Sequence, residues 1–109
     1  MIHATIRMTI PAQKSDAVLG ILKAVLEHCR DNSRCLSCHL YGDLQEKNVL
    51  MLEEVWNAEE DLGHHIRSDE YRNLLLALEL AVKRPEIRFN IISSSTGIET
   101  IEKARSLAR

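Results

Sequence analysis

The sequence is poor in aromatic residues, in positive charge and in long apolar runs. Aromatic residues make up 4% of its 109 positions, too few for the stacking platforms that bind single-stranded nucleic acid. The formal net charge is -2 and the basic residues are scattered, so no phosphate-binding surface is predicted. No apolar run approaches the roughly 20 residues that span a bilayer, and no export signal opens the chain. We expect neither nucleic acid nor membrane as a partner, and a cytoplasmic location.

Cysteine is also scarce, and its pattern predicts free thiols. Cys29, Cys35 and Cys38 are an odd number in a chain without an export signal, where thiols normally stay reduced. Residues 35–39 spell the pattern that attaches c-type haem, but they fall in a predicted strand, where positions three apart are separated by about 10 Å. We therefore expect neither covalent haem nor a disulfide between Cys35 and Cys38.

Hydrophobic periodicity predicts a single α+β domain, because a chain of this length can form only one core. Apolar residues that alternate with polar ones indicate strands, and apolar stripes at helical spacing indicate helices. The predicted strands are residues 2–10, 35–41, 49–56 and 87–91, and the predicted helices are residues 17–29, 57–65 and 68–82. The resulting order, βαββαβ, is the ferredoxin-like arrangement with an antiparallel four-stranded sheet.

Local signals refine two of these elements. Asn57 followed by Glu60 has the form of a capping box, and Ser68 is placed to cap the next helix. Alternation in the second strand predicts one face with Leu36, Cys38 and Leu40, and an opposite face with Cys35, Ser37, His39 and Tyr41.

The third strand is apolar on both faces. One face carries Leu50, Leu52 and Trp56, and the other carries Val49, Met51 and Val55. Helices of the same chain can cover one face, and the simplest cover for the other is the sheet of a second copy. Beyond the fourth strand, an apolar stripe from Ile98 to Leu107 predicts a final helix. We expect a domain over residues 1–93 and a helical extension over residues 94–109.

A motif after the third strand is similar to the signature of the antibiotic biosynthesis monooxygenase family. In that family a strand ends in a tryptophan, and a short acidic helix leads to a histidine nine positions later and a serine three beyond it. Trp56, His65 and Ser68 match this spacing. Residues 34–36, Arg-Cys-Leu, resemble the Gly-Cys-Leu of the family with the glycine replaced. The resemblance covers roughly residues 2–92.

The resemblance implies a homodimer in which two sheets pack face to face as a dimeric α/β barrel. It also implies a ligand cavity between the sheet and the helices of each subunit. Members that are enzymes oxidise electron-rich phenols, quinols or anthrones with molecular oxygen and without metal or flavin. The substrate supplies the electrons, and the protein binds, desolvates and helps to deprotonate it. A cofactor-independent monooxygenase acting on a small aromatic molecule is therefore the implied function.

The chain departs from the active members of the family at two positions. The polyketide-oxidising members have an asparagine four residues before the tryptophan, where this chain has Leu52. The haem-degrading branch has an axial histidine ten residues after the position of His65, where this chain has Leu75. Haem degradation is therefore not expected. The departure at Leu52 leaves an alternative function, a dimeric ligand-binding or regulatory domain that has kept the fold without the chemistry.

His65 and Trp56 are the candidate catalytic residues. A histidine can accept a proton near neutral pH, but one at a helix C-terminus can instead serve the helix and pair with Asp61 four residues earlier. Trp56 can line a substrate pocket or simply fill the core. Trp56 also heads the candidate substrate-binding residues, which further include Leu52, His39 and Tyr71.

No metal ligand and no cofactor are predicted. His64 and His65 are adjacent, so their side chains point about 100° apart on a helix and cannot share an ion. His39 shares a strand face with Tyr41, and that face can belong to a cavity, to the dimer interface or to the solvent-exposed surface.

Overall fold

A computed structural model describes residues 1–107 and contains one four-stranded antiparallel sheet with helices on one side. The strand order is β2-β3-β1-β4, so the ferredoxin-like βαββαβ arrangement is confirmed. A short 3-10 turn, Ala12–Lys14, precedes α1. The strands are β1 Ile2–Thr9, β2 Cys35–Gly42, β3 Val49–Trp56 and β4 Glu86–Ile91, and the helices are α1 Ser15–Arg30, α2 Glu59–Ile66, α3 Asp69–Leu78 and α4 Ile98–Leu107.

The core lies between the sheet and helices α1, α2 and α3. Even-numbered positions of β1 and β3 face these helices, as the period of two requires. From the helices, Val18, Leu22 and Leu74 reach the same layer and are fully buried. Trp56, at the end of β3, is also completely buried. Trp56, which the sequence identifies, thus fills the core at the C-terminal end of β3, just before α2 begins.

The prediction for the faces of β2 is wrong at the start of the strand. The register shifts between Cys35 and Ser37, so that Cys35 pairs with Trp56 and Leu36 becomes the extra residue of a β-bulge. Leu36 is consequently 51% exposed. Cys35 joins Cys38 and Leu40 on the face that packs against the core. A bulge changes the phase of a strand, and an alternating pattern cannot reveal it.

One of the two predicted helix caps is confirmed. The hydroxyl of Ser68 accepts a hydrogen bond of 3.2 Å from the backbone N–H of Tyr71, as a serine N-cap does. The capping box at Asn57 is wrong, because Ala58 is the N-cap of α2 and makes no side-chain cap bond. Three carboxylates in the first turn of α2 stabilise that end through the helix dipole instead.

Helix α3 is shorter than its apolar stripe predicts. It ends at Leu78, and the following residues bond three positions back, Leu80 to Ala77 and Ala81 to Leu78. The backbone N–H of Val82 then donates to the carbonyl of Thr9 at 2.8 Å. This hydrogen bond to the end of β1 therefore holds Val82 outside the helix, although local periodicity assigns this residue to α3.

The second face of the sheet has no helix against it from α1, α2 or α3, all of which pack on the core side. His3 and Glu53 meet there at 3.1 Å. Tyr41 is 49% exposed on this face, and Met51 and Val55 are only partly covered. We call this surface, formed by His3, Tyr41, Met51, Glu53 and Val55, the open face. It includes the apolar side of β3 that the sequence predicts to need a cover.

The C-terminal helix is confirmed, and every residue of α4 that the structure describes is exposed. Strand β4 is exposed as well, including Phe89 and Ile91 on the side toward the helices. The proposed division of the chain after residue 93 stays a prediction. Over residues 1–107, no helix is both long and apolar enough to cross a bilayer.

Candidate functional site

A carboxylate occupies a core position in the middle of the apolar layer. Glu54 is only 2% exposed because it lies on β3 between Leu52 and Trp56, on the face that the helices cover. A buried charge is costly unless hydrogen-bond donors compensate it. The surroundings of Glu54 therefore decide whether this residue is tolerated.

Three donors converge on this carboxylate. Nε2 of His65 lies 2.9 Å from Oε2, and the indole Nε1–H of Trp56 donates to Oε1 at 3.0 Å. The thiol of Cys29 donates to Oε2 at 3.7 Å. We call Glu54, His65, Trp56 and Cys29 the buried cluster. Each member is at most 2% exposed.

The carboxylate also fixes which nitrogen of the imidazole carries the proton. An ionised carboxylate can only accept hydrogen bonds, so Nε2 of His65 donates to Glu54. In the neutral imidazole, Nδ1 then keeps its lone pair. Nδ1 is buried and has no hydrogen-bond partner among residues 1–107. The arrangement thus presents one oriented, unpaired basic atom inside the protein.

Aromatic rings enclose the imidazole of His65. Trp56 lies at a centroid distance of 4.7 Å, and Tyr71 meets the ring edge-on at 5.2 Å. His28 stacks on it at 5.5 Å and reaches Glu70, 3.5 Å away, with its own Nδ1. Burial, together with the negative charge of Glu54, raises the pKa of Tyr71 to about 12. The phenol therefore stays neutral at physiological pH.

Two thiols, that of Cys29 in the buried cluster and that of Cys35 near it, are also held neutral. The neighbouring Cys38 thiol and burial raise the pKa of Cys29 well above its ordinary value. Burial is the main cause that raises the pKa of Cys35 to about 11. All three cysteines are free, as the sequence predicts. They line a pocket of about 230 Å³ together with Arg30, Leu36 and Ser37.

A larger, mostly apolar pocket adjoins the other side of the buried cluster. Its volume is about 330 Å³, within the range of small-molecule sites, and it lies between α2 and β4. We call it the α2–β4 pocket. Its lining consists of Ile2, Glu59, Leu62, Gly63, Ile66, Phe89 and Ile91. Ile2 is the register partner of Trp56, and Ile66 directly follows His65. The pocket lining therefore includes the neighbour of Trp56 in the sheet and the neighbour of His65 in the chain.

The family model for antibiotic biosynthesis monooxygenase matches residues 1–75, well over half of the chain. This chain belongs to the antibiotic biosynthesis monooxygenase family. The matched region runs from β1 into α3 and contains the whole buried cluster. Strand β4 and helix α4 lie outside it. No curated protein sequence matches the chain.

Solved structures show the same fold. A conserved protein from Methanosarcina mazei is 24% identical with a TM-score of 0.75, covering 82% of this chain and 89% of its own. Rv0793 from Mycobacterium tuberculosis is 20% identical with a TM-score of 0.77, and the coverage is 88% and 98%. A structure described as an antibiotic biosynthesis monooxygenase is 18% identical with a TM-score of 0.76, and the coverage is 86% and 100%.

In this family member, three of the residues singled out in the sequence come together. Trp56, His65 and Tyr71 form one aromatic group around Glu54. Leu52 is buried on the same face of β3, in the apolar core. His39 does not join them, because it lies exposed on the open face, 6.0 Å from Tyr41 between ring centroids.

The anticipated pairing of His65 with Asp61 is wrong. Asp61 instead binds Nη1 of Arg34 at 2.8 Å through its Oδ1. Arg34 is the residue that replaces the glycine of the family pattern before β2, and its side chain ties that loop to α2. Asp61 is thus paired with Arg34, and the imidazole of His65 contacts Glu54 inside the core.

Sequence reasoning missed Glu54 and Cys29. One signal was available for Glu54, since it is an acidic residue at an even position of a strand whose other even positions are apolar. Such a residue in a buried strand face needs a donor partner. Cys29 looks like an ordinary member of the apolar stripe of α1, and only the packing of α1 on the sheet brings it to Glu54.

Proposed function

We propose that this protein is a monooxygenase that oxidises a small, electron-rich aromatic, quinol-like or anthrone-like substrate with O2, without metal or flavin. The observation that supports it most directly is the contact between His65 and Glu54, which leaves Nδ1 as an oriented base in a protected interior. Family membership supports oxygenation as the class of reaction.

In the proposed reaction, Nδ1 of His65 accepts the proton of the substrate hydroxyl. Glu54 holds the ring in the required tautomer and stabilises the imidazolium that forms. The resulting substrate anion transfers electrons to O2. One oxygen atom enters the product, and the other leaves as water with two substrate hydrogens. Trp56 holds Glu54 through Nε1 and walls the site with its ring. Neutral Tyr71 packs on the opposite edge of the imidazole.

The α2–β4 pocket is the proposed entry for the substrate. Its volume suits one small aromatic molecule, and its lining is apolar apart from Glu59. His65 itself does not line this pocket and is 1% exposed. Ile66 or Leu62 must therefore turn aside before the substrate reaches Nδ1.

The test is oxygen uptake by chelator-treated protein with a panel of quinols and anthrones, corrected for autoxidation with heat-denatured protein. His65→Gln should lower turnover at least about 100-fold, the usual contribution of general base catalysis. His64→Gln is the matched control, since His64 is the adjacent exposed histidine and should leave turnover unchanged. Equal turnover in folded His65→Gln protein would remove His65 from the mechanism.

A second candidate function is a non-catalytic domain that binds a small aromatic ligand. It is favoured by the lining of the α2–β4 pocket, which contains neither His65 nor Trp56. A ligand can therefore occupy this pocket without meeting the base. Saturable binding of panel compounds, with no oxygen uptake above the denatured control, would select this function. Uptake coupled to product formation would exclude it.

We further propose that the protein is a homodimer through the open face and works in the cytoplasm. Met51 and Val55 lie partly covered on that face, and half-exposed Tyr41 lies beside Met51. Burying them against a second sheet would remove apolar surface from water. Light scattering should give twice the mass of one chain, and Met51→Glu should give the mass of one. The three free thiols suit a reducing compartment.

A further inference from the structure

Three side chains of the buried cluster have the chemistry of metal ligands. Sγ of Cys29, Oε2 of Glu54 and Nε2 of His65 lie within 4.8 Å of one another. They come from three elements, α1, β3 and α2, so the fold and not a sequence motif brings them together. Thiolate, imidazole and carboxylate are the ligand types that bind zinc in proteins.

The spacing of the three atoms is close to that of a tetrahedral site. Ligands that hold Zn²⁺ at about 2.0 to 2.3 Å lie roughly 3.3 to 3.7 Å from one another. Sγ of Cys29 is 3.7 Å from Oε2 of Glu54 and 3.8 Å from Nε2 of His65. Nε2 and Oε2, now 2.9 Å apart, need to separate by only a few tenths of an ångström. That change replaces one hydrogen bond by two metal bonds.

The groups around these ligands also suit a cation. Oε1 of Glu54 is held by Trp56, the kind of outer hydrogen bond that orients a ligating carboxylate. The carboxylate of Glu54 lies 3.7 Å from Sγ of Cys29, so a thiolate at Cys29 needs a neighbouring cation. A bound cation would stabilise this thiolate. Cys38 lies partly buried beside Cys29 and is not one of the three grouped ligand atoms.

An entry path exists on this side of the protein. The pocket of about 230 Å³ has Cys29 in its lining, with Cys35 and Cys38 at its partly exposed walls. An ion can therefore reach Cys29 without passing through the α2–β4 pocket. Arg30, also in the lining, is solvent-exposed, so water and salt screen its charge.

We infer that Cys29, Glu54 and His65 form a three-ligand binding site for a thiophilic divalent cation of the zinc type. On binding, the Cys29 thiol releases its proton to solvent, and the imidazole proton moves from Nε2 to Nδ1. Nδ1 can then no longer act as a base, so a bound ion would block the proposed oxidation. The site itself does not rest on that function, because binding is measured without substrate.

The test uses the chelator-treated full chain with Zn²⁺ or Co²⁺ alone. We expect one Zn²⁺ per chain in competition with a chromophoric chelator, and a thiolate-to-cobalt charge-transfer band with Co²⁺. Cys29→Ser should weaken Zn²⁺ binding at least about tenfold and abolish that band. His64→Gln is the matched control, because His64 is an exposed histidine outside the three proposed ligands, and it should bind like the wild type.

Two outcomes would overturn the site. One is a wild-type chain that binds no Zn²⁺, and the other is Cys29→Ser protein with unchanged affinity, which would place the ion on surface histidines. If Cys29→Ser fails to fold by circular dichroism, Cys29→Ala replaces it, and the charge-transfer band of the wild type still decides. Failure of oxygen uptake would leave these measurements unaffected, so the two proposals fail separately.

Discussion

Two groups of charged and polar side chains hold the sheet, one inside the core and one on the hairpin between β2 and β3. Inside, Glu54 accepts bonds from His65, Trp56 and Cys29. On the hairpin, Arg7 bridges Asp43 and Glu46 at 3.1 Å each. The contacts have similar lengths, yet their consequences differ.

Solvent makes the difference between the two groups. Water competes for every partner on the hairpin, so its ion pairs contribute little to stability. Inside the core no water replaces a lost partner, and an unpaired polar group bears the full desolvation cost. The buried cluster can therefore carry a defined tautomer and chemistry, whereas the hairpin group only shapes a turn.

The largest loss of stability is expected when Glu54, at the centre of the buried cluster, is replaced. Glu54→Ala leaves three buried donors without an acceptor and should lower the free energy of unfolding by about 3 to 5 kcal/mol. Glu54→Gln keeps the size and one acceptor oxygen and should lower it by about 1 to 2 kcal/mol. Urea unfolding followed by circular dichroism measures both. Equal losses for the two variants would show that the volume of the side chain contributes nothing and that only the carboxylate satisfies the donors at this position.

A smaller loss of stability is expected when the indole donor of the same cluster is removed. Trp56→Phe removes the Nε1–H that holds Oε1 of Glu54 and leaves a small void, and should lower the free energy of unfolding by about 2 kcal/mol. In the Glu54→Gln background the loss should shrink, because the two residues share one bond. Strict additivity in this double-mutant cycle would contradict the coupling.

A third effect appears only at high pH. The pKa of Tyr71 is about 12 in the folded protein, above the value near 10 of an unfolded chain. The contribution of the neutral phenol to stability is therefore complete below pH 10 and is lost as the pH rises toward 12. Tyrosinate absorbance should show a late step that Tyr71→Phe removes. Loss of that step from Tyr41→Phe instead would assign it to the open face.

The smallest effect is expected on the hairpin. Backbone N–H groups of Gln45 and Glu46, and then Arg7, lower the pKa of Asp43. Its contribution is therefore present above the ordinary carboxyl pKa and is lost as the pH falls through the lowered value. Asp43→Asn should loosen the hairpin at pH 7 and match the wild type in acid. Hydrogen exchange of residues 43–49 would detect this, and a difference that persists in acid would refute the ionic explanation.

Most of the fold was predictable because it depends on local periodicity. Alternation located β1, and the apolar stripe that ends at Cys29 located α1. The errors fall where tertiary contacts override local pattern. A β-bulge after Cys35 changes which residues of β2 face the core. A hydrogen bond to Thr9 holds Val82 outside the predicted end of α3.

The candidate site was only partly predictable. The motif spacing identified Trp56 and His65, and Tyr71 followed from its helix. Glu54 was visible as an acidic residue in an apolar strand, although its partner was not. For His39 the prediction is wrong in the opposite sense. Its residue type suggested a place in the site, but its side chain lies on the open face, outside the buried cluster.

The sequence by itself determined the element order, the buried face of β1 and membership of the family, because periods of two and 3.6 and a local motif are written along the chain. The tertiary structure alone decided that His65 meets Glu54 and not Asp61, and that Cys29 reaches them both. The physical reason is that a buried charge selects its partner through packing between distant elements. In α1, β3 and α2, the partner atoms lie up to 36 residues apart.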